Sequence, residues 1–545
     1  MSQMVDVLVG RIRPGDFLGD WAQAPLWSRE RDRSTALSLP RVLPVISVLL
    51  AVVASIVSAT QGWMTAYNDA ASHLDIARRI TDSLTPGFGQ LGSVWLPLPH
   101  LLMAPLVAVD WLWHTGVAGA IVMGAAFVYA TVRIFSLTEE WTGSRVAAWC
   151  AYAIFATNVN LLYLQSAALD ETLMLACVVG AVYHLARWTR NLSTQDLLLT
   201  GFALFLGTLT RYDGWALFIA VIVAVAIWSR VHDRRAASTQ ANLLTVLFIG
   251  GYGIALWVLY NAVILHNPLY FLQGQTTELQ RELAGCAGCA TKGSVTGSIV
   301  TYGWTILDVI GLPLLAAAAL GAVLMLVRRG APLYRNLLLL GVLATPIVLN
   351  VFTLFVGETT IDVPQLAPFT AFNTRFGIEA LPFAAVAAGS LASYAGPRLR
   401  GIRWAVLAVA IAAALSLTLA LRPPINLTEG VSGASGYGRA QAQVVGAYLG
   451  QHYTGGRVLV DDSQVQSVLF NSGLPLRDYI TLASPTYYQA ALHDPAANAG
   501  WVLTNKNDRV AQQMTEYPDR YAGFRQVFSD GSYTLYQNVA AGGSG

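Results

Sequence analysis

Lysine is almost missing from this sequence. Lys292 and Lys506 are the two lysines in 545 residues, and arginine carries the rest of the positive charge. Charge of either sign is scarce, at 12% of residues against about 25% in ordinary soluble domains. No basic block stands in the chain and the net charge is +2, so the electrostatic footprint of a nucleic-acid partner is lacking. Four cysteines are too few for a disulfide framework. Cys150 and Cys177 lie in apolar runs and read as inert core residues, whereas Cys286 and Cys289, in a polar loop, read as a loop disulfide ahead of a redox or metal pair. No secretory signal peptide opens the chain, because Arg11, Arg13, Arg29, Arg31 and Arg33 precede the first apolar run with prolines between them. Internal repeats and low-complexity segments are lacking too.

What the chain does have is apolar surface. Of its residues 55% are hydrophobic, and long apolar runs recur from Arg41 to Leu421. Runs of about 20 such residues are the signature of membrane-spanning helices. The sequence predicts about eleven, near 41–60, 116–137, 146–164, 172–187, 197–210, 214–229, 241–263, 304–327, 336–356, 376–395 and 403–421. The segment Leu96–Trp113 is also apolar, but Pro97, Pro99 and Pro105 interrupt it and Asp110 sits near its end. If it lies on the membrane surface, every later arginine cluster falls on the side of the N-terminal arginines: Arg145, Arg187 and Arg190, Arg230 with Arg234 and Arg235, Arg328 with Arg329 and Arg335, and Arg398 with Arg400 and Arg403. Basic loops favour the cytoplasm, so the surface-helix reading is preferred. The expected organisation is a cytoplasmic tail (1–40), a transmembrane region (41–422) with a first external loop at 61–115, an extracytoplasmic α/β domain (423–540), and a Gly/Ser tail at 541–545. In the α/β domain "GRVLVDD", "GWVLTN" and "YTLYQN" read as strands, and 437–450 and 508–516 as helices.

The external side gathers ionisable groups at membrane ends: Asp69, His73, Asp170, Glu171, Arg211, Asp213, Glu358, Asp362 and Arg375. Charge at that depth is costly unless paired, hydrated or used, which makes each a functional candidate. Asp69 and His73 are four apart and share a helix face. Each candidate has a plainer alternative: N-capping by Asn68 or Asp69 and by Asp170, a local Arg211–Asp213 ion pair, snorkelling of Arg375, and surface pairing among Asp75, Arg79 and Asp82. The Asp461–Asp462 pair reads as a strand end. Taken together the candidates form two poles, carboxylates from two loops and arginines from two others. Arginine suits a phosphate, and a nearby carboxylate can take a hydroxyl proton or hold a divalent cation. The residues alone point to an external site handling a lipid phosphate.

These residues resemble the GT-C superfamily of polyprenyl-phosphate-sugar glycosyltransferases, in the branch of protein O-mannosyltransferases and lipid A aminoarabinose transferases. "DAASHLDIARR" matches that branch's first-loop acidic helix at Asp69, Ile76, Ala77 and Arg78, and departs from it at Ala70 and His73. Its "Lys-Pro-Pro-Leu" stretch corresponds to "LPLPHLL", without the lysine, so that Gln90 or His100 would stand in for it. "ALDETLML" carries the second acidic motif onto Asp170, "LTRYDG" places Arg211 at the family's turn lysine, and "TRFGIEALP" matches at Arg375 and Phe376. The likeness runs over about residues 41–395. The oligosaccharyltransferase signature "Trp-Trp-Asp-Tyr-Gly" is missing.

The resemblance implies a polytopic α-helical GT-C-like fold with a small C-terminal α/β domain, in a bacterial plasma membrane. It implies an inverting transfer of a monosaccharide from a polyprenyl phosphate to a cell-envelope glycan, lipid or protein. Asp69 would be the general base, and Arg211 and Arg375 would hold the donor phosphate. His73, Asp170 and Glu171 would contact donor or acceptor, or hold a divalent cation (Mg, Mn or Zn), with Asp170 and His73 as its ligands. Gln90, His100, Asp213 and Glu358 are secondary candidates. A transporter or flippase of lipid-linked sugars is the alternative of another class, and a membrane scaffold with an external interaction domain is a third.

Overall fold

The computed structural model describes residues 40–539 apart from 94, 233–235, 274–288, 328–332, 395–423, 433–438, 463–464 and 507. The expected span at 403–421, several of the arginines used for the sidedness argument, Cys286 and the terminal tail lie outside the described residues.

Apolar composition and length build the first helix, α1 (Val42–Thr60), most of whose surface faces away from the protein. The first loop then folds into α2 (Asn68–Arg79), α3 (Leu98–Val107) and α4 (Asp110–His114). Ten residues of helix span about 15 Å, half of a hydrocarbon core of about 30 Å, so α3 is too short to cross. Next come α5 (Val117–Thr142), α6 (Arg145–Ala156), α7 (Val159–Leu164), α8 (Glu171–Asn191), α9 (Thr194–Thr208), α10 (Asp213–His232) and α11 (Ala236–Ile264). The remaining membrane elements are α12 (Val295–Ile310), α13 (Leu312–Val327), α14 (Leu333–Leu343), α15 (Thr345–Val356) and α16 (Leu381–Ser390). A 3-10 turn over Thr374–Ala380 leads into α16. Among the described residues six helices are long and apolar enough to cross a membrane, or eight if each of two bent pairs is one span. The chain is therefore a multi-pass membrane protein.

Several expected spans are divided. The run 146–164 breaks between α6 and α7, where the Asn158 side-chain Oδ1 accepts from the Leu161 amide and caps a new helix. The run 304–327 starts earlier, at Val295, and turns by 107° at Gly311, whose φ of +89° ends α12. The run 336–356 bends by 48° between α14 and α15. Apolar periodicity is blind to such breaks, because both halves stay apolar. α8 is the centre of the bundle, packed on α5 and α9, and its spanning window is 83% buried.

Past the membrane region, α17 (Ile425–Ser432) returns to the bundle, followed by a domain whose sheet has the order β2-β1-β3-β5-β4. Its strands are β1 (Val458–Val460), β2 (Tyr479–Ile480), β3 (Trp501–Asn505), β4 (Phe524–Ser529) and β5 (Tyr533–Asn538). β1 runs parallel to β2 and β3, with Val458 opposite Tyr479 and Trp501, while β5 is antiparallel to β3 and β4. The helices are α18 (Arg439–His452), α19 (Gln466–Ser472), α20 (Pro485–His493) and α21 (Arg509–Glu516). Three strands and two helices fall where the pattern put them. β2 is too short to show a period, and β4 has a register shift near Gln526.

Candidate active site

α2 is the wall on which the site is built. Its apolar face (Ala70, Leu74, Ala77) is fully buried. That leaves Asp69, Ser72, His73, Ile76 and Arg79 along a cavity of about 1140 Å³. A pocket for one drug-sized ligand is about 300–1,000 Å³, so this one lies just above the upper end of that range. Asn68 and Asp69 do not cap α2, which has no side-chain cap. Asn68 instead accepts a hydrogen bond from Ser467 Oγ at 2.6 Å.

Asp69 meets Arg375 across the cavity, Arg375 Nη2 donating to Asp69 Oδ2 at 2.5 Å. Arg375 Nε lies 3.0 Å from Glu171 Oε1, and Nη1 has no hydrogen-bond partner among the described residues. Burial would push the Asp69 carboxyl up. The Arg375 charge and hydrogen bond, with His73 and Arg211, outweigh that and hold it below its ordinary range. Arg375 is placed by its own turn. Gly377 lets that turn lie against α12, where a Cβ would come within 2.7 Å of Thr305 O.

Arg211 sits in the turn between α9 and α10. The turn closes tightly because Gly214 lies on Gly207, where a Cβ would meet the Gly207 carbonyl oxygen at 2.2 Å. The guanidinium pairs with Asp170 at 2.8 Å, Asp213 at 2.9 Å, and Glu171 and Glu379 at 3.4 Å each. The local Arg211–Asp213 pair is therefore real, but it is one of four. Asp170 holds the N-cap position of α8 without capping it; its carboxylate goes to Arg211. Both guanidinium groups lie over the Phe376 ring, at 4.9 and 5.5 Å from its centroid.

Two secondary candidates do something other than expected. His100 is fully buried, outside the cavity lining, and its Nε2 lies 2.8 Å from His73 Nδ1. Burial pushes His73 down to about 4 and His100 well below its usual value, so the pair is neutral. Gln90 spends its amide group on Thr85 and on Ala483 O, which makes it a link to the C-terminal domain. Glu358 and Asp213 do line the cavity, and burial raises the Glu358 carboxyl, with Asp213 adding to the effect. Of the expected cation ligands, Asp170 pairs with Arg211 at 2.8 Å and His73 lies 2.8 Å from His100. No group of three or more His, Cys, Asp or Glu side chains suited to a metal occurs among the described residues.

Sequence reasoning missed two carboxylates. Glu379, on the turn entering α16, accepts from Asn350 Nδ2 at 2.8 Å and lies near Arg211. Glu429 on α17 accepts from the Asn373 and Thr374 amides at 2.8 and 2.9 Å and from Thr374 Oγ1 at 2.6 Å. The first carried a signal, an acid inside an apolar span. The second lies in a short polar segment with no motif.

The C-terminal domain closes the cavity. Arg79 Nη1 donates to Asp462 Oδ2 at 2.6 Å, so Asp462 is more than a strand end, and Arg79 does not pair within its helix. Asp82 pairs with Arg78, and Asp75 accepts from Trp113 Nε1. Cys150 and Cys177 are free and buried, and Cys289 is disulfide-bonded.

No family model and no curated protein matches the chain. Solved structures do. ArnT from Cupriavidus metallidurans bound to undecaprenyl phosphate is similar at a TM-score of 0.56 and 13% identity, over 90% of this chain and 98% of that one. Its apo state is similar at 0.50, with the same identity and coverage. The Archaeoglobus fulgidus oligosaccharyltransferase AglB, in complex with an inhibitory peptide and a dolichol-phosphate, gives 0.47 at 12% identity over 91% of this chain and 74% of that one. At this identity the likeness speaks to fold alone, and the fold is that of ArnT.

Proposed function

We propose that the chain is an inverting glycosyltransferase of a bacterial plasma membrane. It would move a monosaccharide from a polyprenyl phosphate to an acceptor hydroxyl on a cell-envelope glycan, lipid or protein. Its N-terminus would be cytoplasmic and its cavity and C-terminal domain extracytoplasmic. The observation that carries the reading is the Asp69–Arg375 pair, which joins a carboxylate and a guanidinium from distant segments inside a cavity shared with Arg211. The undecaprenyl phosphate held by ArnT, which has the same fold, supports the choice of lipid.

In this reaction the acceptor oxygen attacks the anomeric carbon as its proton passes to Asp69. The carbon–oxygen bond to the phosphate breaks, and its electron pair leaves on the lipid phosphate. Arg375, whose Nη1 has no partner among the described residues, and Arg211 neutralise that charge. Resting Asp69 is a weak base, because Arg375 depresses it. A phosphate that draws Arg375 away removes that counter-charge and strengthens the base when the donor is in place. Asp170 accepts from Arg211, and His73 lies 2.8 Å from His100. The charged groups collect at one end of the helices rather than at mid-span, which favours surface chemistry over transport.

The test is release of radiolabelled sugar from polyprenyl-phospho-sugars by the purified protein in membranes, wild type beside Asp69→Asn, with cell-envelope extract as acceptor. Consumption by wild type and its loss in Asp69→Asn are expected. Equal consumption by both removes Asp69 from the mechanism, and no consumption with any donor overturns the transferase reading.

A further inference from the structure

Along α2 the cavity wall has a direction. Asp69 and its arginine partner lie at one end, and Arg79 with Asp462 at the other, about 15 Å away at the rise of a helix. One turn beyond Asp69 stands His73, and the indole of Trp95 lies on it, with ring centroids 4.5 Å apart. Trp95 is half-buried and lines the cavity. Its neighbour Leu96 is anchored in an apolar cluster with Trp257 and Phe271. His73 is fixed from behind by His100. The result is an uncharged aromatic plate, held from behind, in a cavity that also carries ionic groups from α2, the Arg211 turn and the C-terminal domain.

A half-buried indole lining a cavity offers a flat apolar face to whatever occupies it. The C–H face of a sugar ring is apolar and slightly positive, which matches the negative face of an indole, while the ring's hydroxyls point sideways to polar groups. Such groups close the same end of the cavity: Gln466 and Asp462 from the C-terminal domain and Arg79 from α2. In the transferase reading, on which this inference rests, the phosphate sits at the arginines and the acceptor approaches Asp69 from the side away from the leaving group. Trp95, on His73 one helical turn from Asp69, lies toward the Arg79–Asp462 end of the cavity wall.

We propose that Trp95, backed by His73, is the platform for a sugar ring of the acceptor, so that the acceptor is a glycan and not a polypeptide hydroxyl. The C-terminal domain completes this subsite through Asp462 and Gln466, which gives that domain a part in acceptor selection.

The experiment uses the full chain in lipid nanodiscs and two kinds of probe, undecaprenyl phosphate and short neutral fragments of arabinan, galactan, mannan and glucan. At least one saccharide is expected to bind wild type. Trp95→Ala weakens it about tenfold, the loss expected for uncovering one aromatic face, and Trp95→Phe by less. Undecaprenyl phosphate binds all three proteins alike. Saccharide binding by Trp95→Ala at wild-type strength overturns the platform, as does wild type that binds none of the saccharides. Parallel loss of saccharide and undecaprenyl phosphate in both variants assigns Trp95 a structural role and also overturns it. Failure of wild type to bind undecaprenyl phosphate counts against the transferase reading, while the saccharide result stands by itself.

Discussion

Arg375 reaches Asp69 across 306 residues of chain, Nη2 to Oδ2 at 2.5 Å, with Glu171 on the other flank of the same guanidinium. The pair makes Asp69 a competitor of any phosphate for Arg375. Undecaprenyl phosphate should therefore bind Asp69→Asn at least as tightly as wild type, and Arg375→Ala at least tenfold more weakly, as losing a charge-assisted hydrogen bond implies. Titration of each variant with the lipid in nanodiscs measures both. Weaker binding by Asp69→Asn would contradict the competition.

Glu429 anchors the turn that delivers Arg375, through the Asn373 and Thr374 amides and the Thr374 hydroxyl. Glu429→Ala leaves the Asn373 and Thr374 amides buried and unpaired, at about 1–3 kcal/mol each, while the Thr374 hydroxyl keeps Asn426 Oδ1 at 3.1 Å. We expect a lower melting temperature, and a loss of undecaprenyl phosphate affinity approaching that of Arg375→Ala. Glu429→Gln keeps one acceptor oxygen and should recover part of both.

The Arg79–Asp462 pair ties α2 to the C-terminal domain, with both side chains about nine-tenths buried. Removing one partner strands the other, at about 3–5 kcal/mol, whereas an apolar pair of similar size is close to neutral. Arg79→Ala should raise hydrogen exchange in both α2 and α19. Arg79→Met combined with Asp462→Leu should bring it back toward wild type.

Asp75 supplies a pH dependence. Burial pushes its carboxyl up to about 8, against the opposing pull of Arg79 and Trp113. The folded form thus holds a proton that the unfolded chain has released above the ordinary carboxylate range. Between about pH 4 and pH 8 the folded state binds more protons, so stability falls as pH rises, by at most about 1.4 kcal/mol per unit. Thermal unfolding at pH 6 and pH 8 should show the lower value at pH 8. Asp75→Asn, which keeps an acceptor for Trp113, should flatten the difference.

Much of the site was legible because its members sit where charge is unexpected. Asp69, Asp170, Arg211 and Arg375 each interrupt an apolar pattern at a span end, and the structure gathers all four around one cavity. What could not be read was pairing over long separations. Nothing local distinguishes His100 as the partner of His73, or Asp462 as the partner of Arg79 383 residues away. The fold divided in the same way. Span positions follow from composition, but the breaks at Asn158 and Gly311 depend on a cap and a left-handed glycine, which a window of about 20 residues averages out.

Arg211 lies among four carboxylates, and Arg375 between two. A phosphate entering such a site never meets bare cations. It displaces carboxylates that stay close by and take the guanidinium groups back as soon as it loosens. The consequence concerns departure. In the proposed reaction the rearrangement that admits the donor would also help expel the spent lipid phosphate, and weak inhibition by that lipid is the expected result. A site with the same two arginines and fewer acids would hold that lipid more tightly and turn over more slowly.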